Sequence, residues 1–218
     1  MKTSTKATLI SIAVVVLLAI AAVFIVLLNR PSAPTAAETN GALTGTRANS
    51  HVVDRAGEDA PTLVEYLDFE CEACAAFHPV IAELREHYDG RLNYVVRYFP
   101  LAGHFNSMNA ALAVEAAAQQ DRFLEMHDKM FDTQAEWGEQ QVSAADTFRG
   151  YAEELGLDLA AYDAAIEDPA TRARIEEDMN DGKLAGVRGT PTFVLDGKRL
   201  ELMQLTDLTD AIDSALAR

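Results

Sequence analysis

The sequence predicts an α/β protein: a mixed central sheet flanked by helices, carrying an all-helical insertion and preceded by one transmembrane helix. Three observations point there. Leu9–Leu28 is an apolar run interrupted only by Ser11. Two β-rich segments bracket a helical one between Thr62 and Phe99. A hairpin signal at residues 192–202 follows a long stretch of helical periodicity.

The apolar run spans a bilayer: twenty helical residues rise about 30 Å, the thickness of the hydrocarbon core. Lys2 and Lys6 precede it and Arg30 follows. The positive-inside rule therefore places residues 1–8 in the cytoplasm, 9–28 in the membrane and the rest outside. A cleaved signal peptide competes, with small residues at Thr35-Ala36-Ala37. Its apolar core would be about 7–15 residues, shorter than this run, so an uncleaved single-pass anchor is favoured. A buried core helix fits less well, because the run has no polar face. Either membrane reading exports the rest of the chain to an oxidising, extracytoplasmic compartment.

Residues 29–50 read as a flexible linker rich in Pro, Ala, Thr, Gly and Ser, and His51 reads as part of that tether. The globular domain takes residues 51–218. Thr62–Leu67 is a short buried strand, Cys74–Tyr88 a helix interrupted by Pro79, and Asn93–Phe99 a strand ended by Pro100. A helical insertion occupies about residues 104–186. Its segments are Ser107–Gln120, Asp121–Gln134, a helix started by Ser143 with Asp146 as a capping-box variant, Asp158–Ile166 and Ala170–Leu184. Thr192–Leu195 and Lys198–Leu202 flank Asp196-Gly197, a two-residue hairpin turn. Thr206 caps a last amphipathic helix ending near Ala217. Strand–helix–strand implies a parallel pair with a right-handed crossover, to which the hairpin adds antiparallel strands.

Composition excludes several functions. Of 218 residues, 49% are hydrophobic and 24% charged, which is not a disordered chain. The 18 Lys+Arg against 34 Asp+Glu give net −16, which disfavours nucleic acid. All the charges of residues 1–30 are basic (Lys2, Lys6 and Arg30), so residues 31–218 carry net −19. Two cysteines exclude a multi-disulfide scaffold and a four-cysteine zinc site. No phosphate-binding glycine loop or nucleophilic-serine signature is present.

Those cysteines, Cys71 and Cys74, follow the first strand and open the first helix. Unpaired N–H groups and the helix dipole stabilise a thiolate there. A second sulfur three residues on shares its helix face, so the pair can open and close without large backbone movement. A structural staple is disfavoured, because so small a loop contributes only about 2 kcal/mol in the chain-entropy model. A metal site with His78 or His104 is disfavoured because structural zinc takes four protein ligands.

The stretch Asp68-Phe69-Glu70-Cys71-Glu72-Ala73-Cys74-Ala75-Ala76-Phe77-His78-Pro79, followed by Gly189-Thr190-Pro191-Thr192-Phe193, resembles the thioredoxin superfamily, and within it the DsbA-like thiol–disulfide oxidoreductases. The likeness covers residues 51–218 and implies a thioredoxin fold with the family's helical insertion. It implies that Cys71 is the exposed nucleophile, Cys74 the buried resolving thiol, and Pro191 a cis-proline that presents backbone to substrate. Thr190 would hydrogen-bond near the sulfurs. Glu65 would be the buried acid that relays the Cys74 proton; the alternative is an outward-facing strand residue. Pro79 would be the helix-kinking proline. Strongly oxidising relatives carry Pro-His between the cysteines, whereas this chain has Glu72-Ala73. A glutamate beside the sulfur disfavours the thiolate and predicts a higher Cys71 pKa and a less oxidising disulfide than in those relatives.

Other candidates carry less. His78 and Trp137 read as packing residues, His104 as a loop residue within reach of substrate, His87 and His127 as surface. Glu176-Glu177-Asp178 reads as a solvated helix face. The expected activity is disulfide exchange with exported proteins, most simply as an oxidase. No cofactor or metal is implied, and the resemblance suggests a membrane redox partner of the DsbB or vitamin-K-epoxide-reductase type. The alternatives are a reductase or isomerase using the same dithiol, and a non-catalytic module with a passive disulfide.

Overall fold

A computed structural model describes residues 46–218. The apolar run at 9–28 and nearly all of the linker lie outside the described residues. Among those described, no helix is long and apolar enough to cross a membrane.

The chain runs β1 (His51–Asp54), β2 (Thr62–Leu67), α1 (Glu72–His87) and β3 (Asn93–Tyr98). The helices α2 (Ser107–Ala118), α3 (Phe123–Asp132), α4 (Gln134–Trp137), α5 (Ala145–Glu154), α6 (Leu159–Glu167) and α7 (Pro169–Leu184) follow. β4 (Thr192–Leu195), β5 (Lys198–Arg199) and α8 (Thr206–Leu216) complete it. The sheet order is β1-β3-β2-β4-β5. β2 and β3 are parallel across α1, and the other three pairings are antiparallel.

Strand alternation sorts two cores. Leu63, Leu67, Tyr94, Val96, Tyr98 and Phe193 face the cluster that holds both cysteines and the α1 residues Ile81 and Leu84. Val64, Tyr66, Val95 and Val194 face the other way, where Met179 and Ala185 of the α7 region cover them. Gly182 lets α7 approach: a Cβ there would meet Phe99 Cδ2 at 2.7 Å. The hairpin turn has positive φ at Asp196 (48°) and Gly197 (77°), as a type I′ turn requires.

Several expectations are corrected. His51 is not tether; it opens β1, stacks on Phe123 at 4.1 Å and pairs with Glu115 at 2.7 Å. His127 is buried, because it shares an α3 face with Phe123 and Phe131, four residues either way. Asp178 is fully buried while Glu176 is exposed, since Ile175, Asp178 and Asp181 turn one α7 face to the sheet. There Arg97, also fully buried, pairs with both Asp178 and Asp181. Burial of that guanidinium is sustainable only with carboxylates against it. Ala144, not Ser143, is the N-cap of α5, and its N–H donates to Asn106 Oδ1 at 2.8 Å from across the insertion. Thr206 is the first residue of α8 rather than its cap; the Asp207 carboxylate accepts from the Met203 and Gln204 amides. β5 spans two residues rather than five, although the Leu200 amide still reaches Phe193 O at 2.9 Å.

Candidate active site

Cys71 is the N-cap of α1, in extended backbone (φ −76°, ψ 120°) that places its sulfur over the first turn. The chain must leave β2 in a tight bend to reach that position. Asp68 makes the bend by accepting from the Glu70 amide (2.9 Å) and the Leu101 amide (3.0 Å). Gln134 of α4 holds the same loop, donating to Phe69 O (2.7 Å) and Cys71 O (3.0 Å). The insertion therefore fixes the redox loop directly.

Opposite Cys71 the Thr190–Pro191 peptide is cis, and Thr190 O accepts from Cys71 Sγ at 3.3 Å. The expected contact is thus made by the Thr190 carbonyl; the Thr190 hydroxyl is buried with no partner in this thiol geometry. Phe77, Pro191, Phe193, Leu200 and Leu202 line a groove beside the cis peptide.

The two free thiols differ in electrostatics. Cys71, expected to be exposed, is buried and retains 7% exposure, against 1% for Cys74. The Cys74 thiol, donating to the Cys71 sulfur, is the main cause that lowers the Cys71 pKa to about 5. Burial opposes it, and the Cys74 and Ala73 amides add to it. Burial pushes Cys74 well above an ordinary thiol, its bond to Cys71 adds to this, and the Glu65 charge adds further.

Glu65 is buried at 3% exposure on the cysteine side of β2, not outward-facing. Burial raises its pKa to about 7, and a hydrogen bond donated by the Tyr94 hydroxyl restrains that rise. Tyr94 was not foreseen as a site residue. Its signal is the register: Leu63 pairs with Tyr94, so Tyr94 and Glu65 share a face one step apart. Arg85, held by Asp54, stacks over the Tyr94 ring at 5.5 Å.

Glu72 is exposed and Ala73 contributes an amide to Cys71. A second feature missing from the sequence reading lies beside them. His104 Nδ1 sits 2.6 Å from Asp68 Oδ2, and a ligand atom of His104 lies within 4.8 Å of the Glu72 and Glu139 carboxylates. Burial works against the His104 imidazolium, but Asp68, aided by the Cys71 and Glu70 charges, raises its pKa. His78 and His127 lie together, with ring centroids 5.4 Å apart.

The thioredoxin family profile matches residues 56–214. The chain belongs to the thioredoxin family. This thioredoxin-family chain is 26% identical to a thioredoxin-like oxidoreductase of Silicibacter pomeroyi, with TM-score 0.67, covering 82% of this chain and 98% of that one. Alpha-DsbA1 of Wolbachia pipientis matches at 22% identity and TM-score 0.69, over 82% and 96% of the two chains. BdbD of Bacillus subtilis matches at 18% and 0.68, over 78% and 94%. The last two show a shared fold alone. Among curated sequences it is 40% identical over 147 residues to the Na(+)/H(+) antiporter NhaA of Herminiimonas arsenicoxydans, covering 67% of this chain and 22% of that protein. NhaA 3 of Salinispora tropica matches at 41% over 147 residues, 66% of this chain and 22% of that protein. The chain thus spans under a quarter of the length of these relatives.

Proposed function

We propose that this chain is a thiol–disulfide oxidoreductase that forms disulfides in exported proteins. The observation that carries the reading is the asymmetry of the dithiol: a stabilised Cys71 thiolate at the head of α1, backed by a buried, proton-holding Cys74. A stabilised thiolate favours the reduced form and makes the disulfide an oxidant.

In the oxidised enzyme a substrate thiolate attacks Cys71 Sγ, forming a mixed disulfide as the Cys71–Cys74 bond breaks. The departing Cys74 sulfur takes a proton, for which the Glu65 carboxyl, with a pKa of about 7, is the buried source. A second substrate thiolate attacks the substrate sulfur and expels the Cys71 thiolate, a good leaving group because its pKa is low. The substrate loses two electrons and the dithiol gains them, so no organic cofactor is needed. The cis peptide at Pro191 and the adjoining groove present backbone and apolar surface to the substrate segment. A membrane oxidase of the DsbB or vitamin-K-epoxide-reductase type withdraws the electrons. The apolar run at 9–28 anchors the chain in the membrane with the catalytic domain outside.

Equilibration of the purified protein with glutathione tests the direction. The expected potential is at or above the about −180 mV of protein disulfide isomerase; a value near thioredoxin's about −270 mV reverses the assignment to a reductase. Expressing the Cys74→Ala variant in the native host tests the chemistry, because Cys71 then accumulates reductant-sensitive covalent complexes. Absence of any such complex favours a passive disulfide.

A further inference from the structure

Between α1 and α3 lies a cluster that disulfide exchange does not use. His78 is on α1, one helical turn beyond Cys74, and His127 and Asp128 are on α3 of the insertion. One ligand atom of each lies within 4.8 Å of the others. Asp128 Oδ1 is 2.9 Å from His127 Nδ1 and 3.8 Å from His78 Nε2. Aromatic neighbours hold both rings: His78 stacks on Phe131 at 5.0 Å, and His127 stands edge-on to Phe131 at 5.1 Å and to Phe69 at 5.6 Å.

We infer that His78, His127 and Asp128 form a binding site for a divalent transition metal, with Zn2+ as its natural class of occupant, bridging the redox helix to the helical insertion. Two imidazoles and one carboxylate are a donor set of zinc sites that keep a position open for water or another ligand. Hard cations such as Ca2+ and Mg2+ prefer all-oxygen shells. Metal–ligand bonds of about 2.0–2.1 Å in a tetrahedron put ligand atoms about 3.3 Å apart. The two separations to Asp128 bracket that value, so small side-chain rotations suffice.

Access is open, since the Asp128 side chain is 43% exposed and that of His78 19%. The facing cation is Arg85, which raises no separate barrier because Asp54 holds it through two nitrogens.

The test titrates Zn2+ into the full chain carrying Cys71→Ser and Cys74→Ser, so that sulfur cannot take the metal. Calorimetry is expected to show one equivalent bound, with a higher thermal midpoint in the presence of Zn2+ than of a chelator. His78→Ala and Asp128→Asn, made in that background, should each weaken binding by at least about tenfold and erase the thermal gain. Both residues are partly exposed, and midpoints measured with chelator should match the parent. Should His78→Ala fail to fold, Asp128→Asn alone decides. Absence of the one-equivalent isotherm overturns the assignment. So does binding that both variants leave unchanged but His104→Gln abolishes, which would move the metal to Glu72, His104 and Glu139.

Discussion

Tyr94→Phe removes one oxygen from the core and keeps the ring beneath Arg85. The lost bond is the one the Tyr94 hydroxyl donates to the buried Glu65 carboxylate. Hydrogen bonds to charged groups contribute about 1.5–3 kcal/mol, and one pKa unit is about 1.4 kcal/mol. Glu65, already raised by burial to about 7, should rise by a further one to two units, roughly. At pH 7 its ionised fraction falls from about one half to between about one tenth and one hundredth. Wherever Glu65 must accept the Cys74 proton, the step slows by about 5- to 50-fold at that pH and recovers as pH rises. The assay loads Cys71 with a chromophoric thiol and follows its release by Cys74 across pH. The acid limb should move up by one to two units, roughly, in Tyr94→Phe and vanish in Glu65→Gln. An unshifted limb in Tyr94→Phe, or a limb retained by Glu65→Gln, refutes the relay.

Three further outcomes follow from the same electrostatics. Glu65→Gln should stabilise the fold at pH 8 and not at pH 4: a carboxyl with pKa 4.5 unfolded and about 7 folded loses stability as pH rises through that window, by about 3 kcal/mol at most. Denaturant unfolding at the two pH values measures it, and a gain equal at both contradicts the assignment. His104→Gln should raise the Cys71 pKa, because an imidazolium held by Asp68 interacts favourably with the thiolate. An unchanged thiolate titration shows that solvent screens the pair. Glu72→Pro combined with Ala73→His should lower the Cys71 pKa and make the disulfide more oxidising, read by the same titration and by glutathione equilibrium. No drop removes the argument from the intervening residues.

The parts of the fold legible in the sequence are those with strong local chemistry. β2 and β3 are β-rich and mostly apolar, Asp196-Gly197 demands its turn, and two cysteines between strand and helix mark a helix N-terminus. β1 was missed because four residues beginning with histidine, joined to a linker, carry no periodic signal. Asp178 reads as solvent-facing because helical charge runs usually are. The distant partner Arg97, some eighty residues away in sequence, and Arg174 one turn earlier on α7 explain its burial. At the site, Cys71, Cys74 and Glu65 are visible from spacing and resemblance. Tyr94 needs the β2–β3 register, and the His104–Asp68 pair needs the path of the loop after β3. Residues joined by tertiary contact alone leave no local pattern to read.

Disulfide exchange as derived above needs Cys71 to be a thiolate at neutral pH while Cys74 is not. Titrating the ultraviolet thiolate absorbance of the reduced protein measures this directly, with the Cys71→Ser variant as reference. One transition is expected near pH 5, and Cys71→Ser should abolish it. A single transition at the about 8.5 of an ordinary thiol would contradict it.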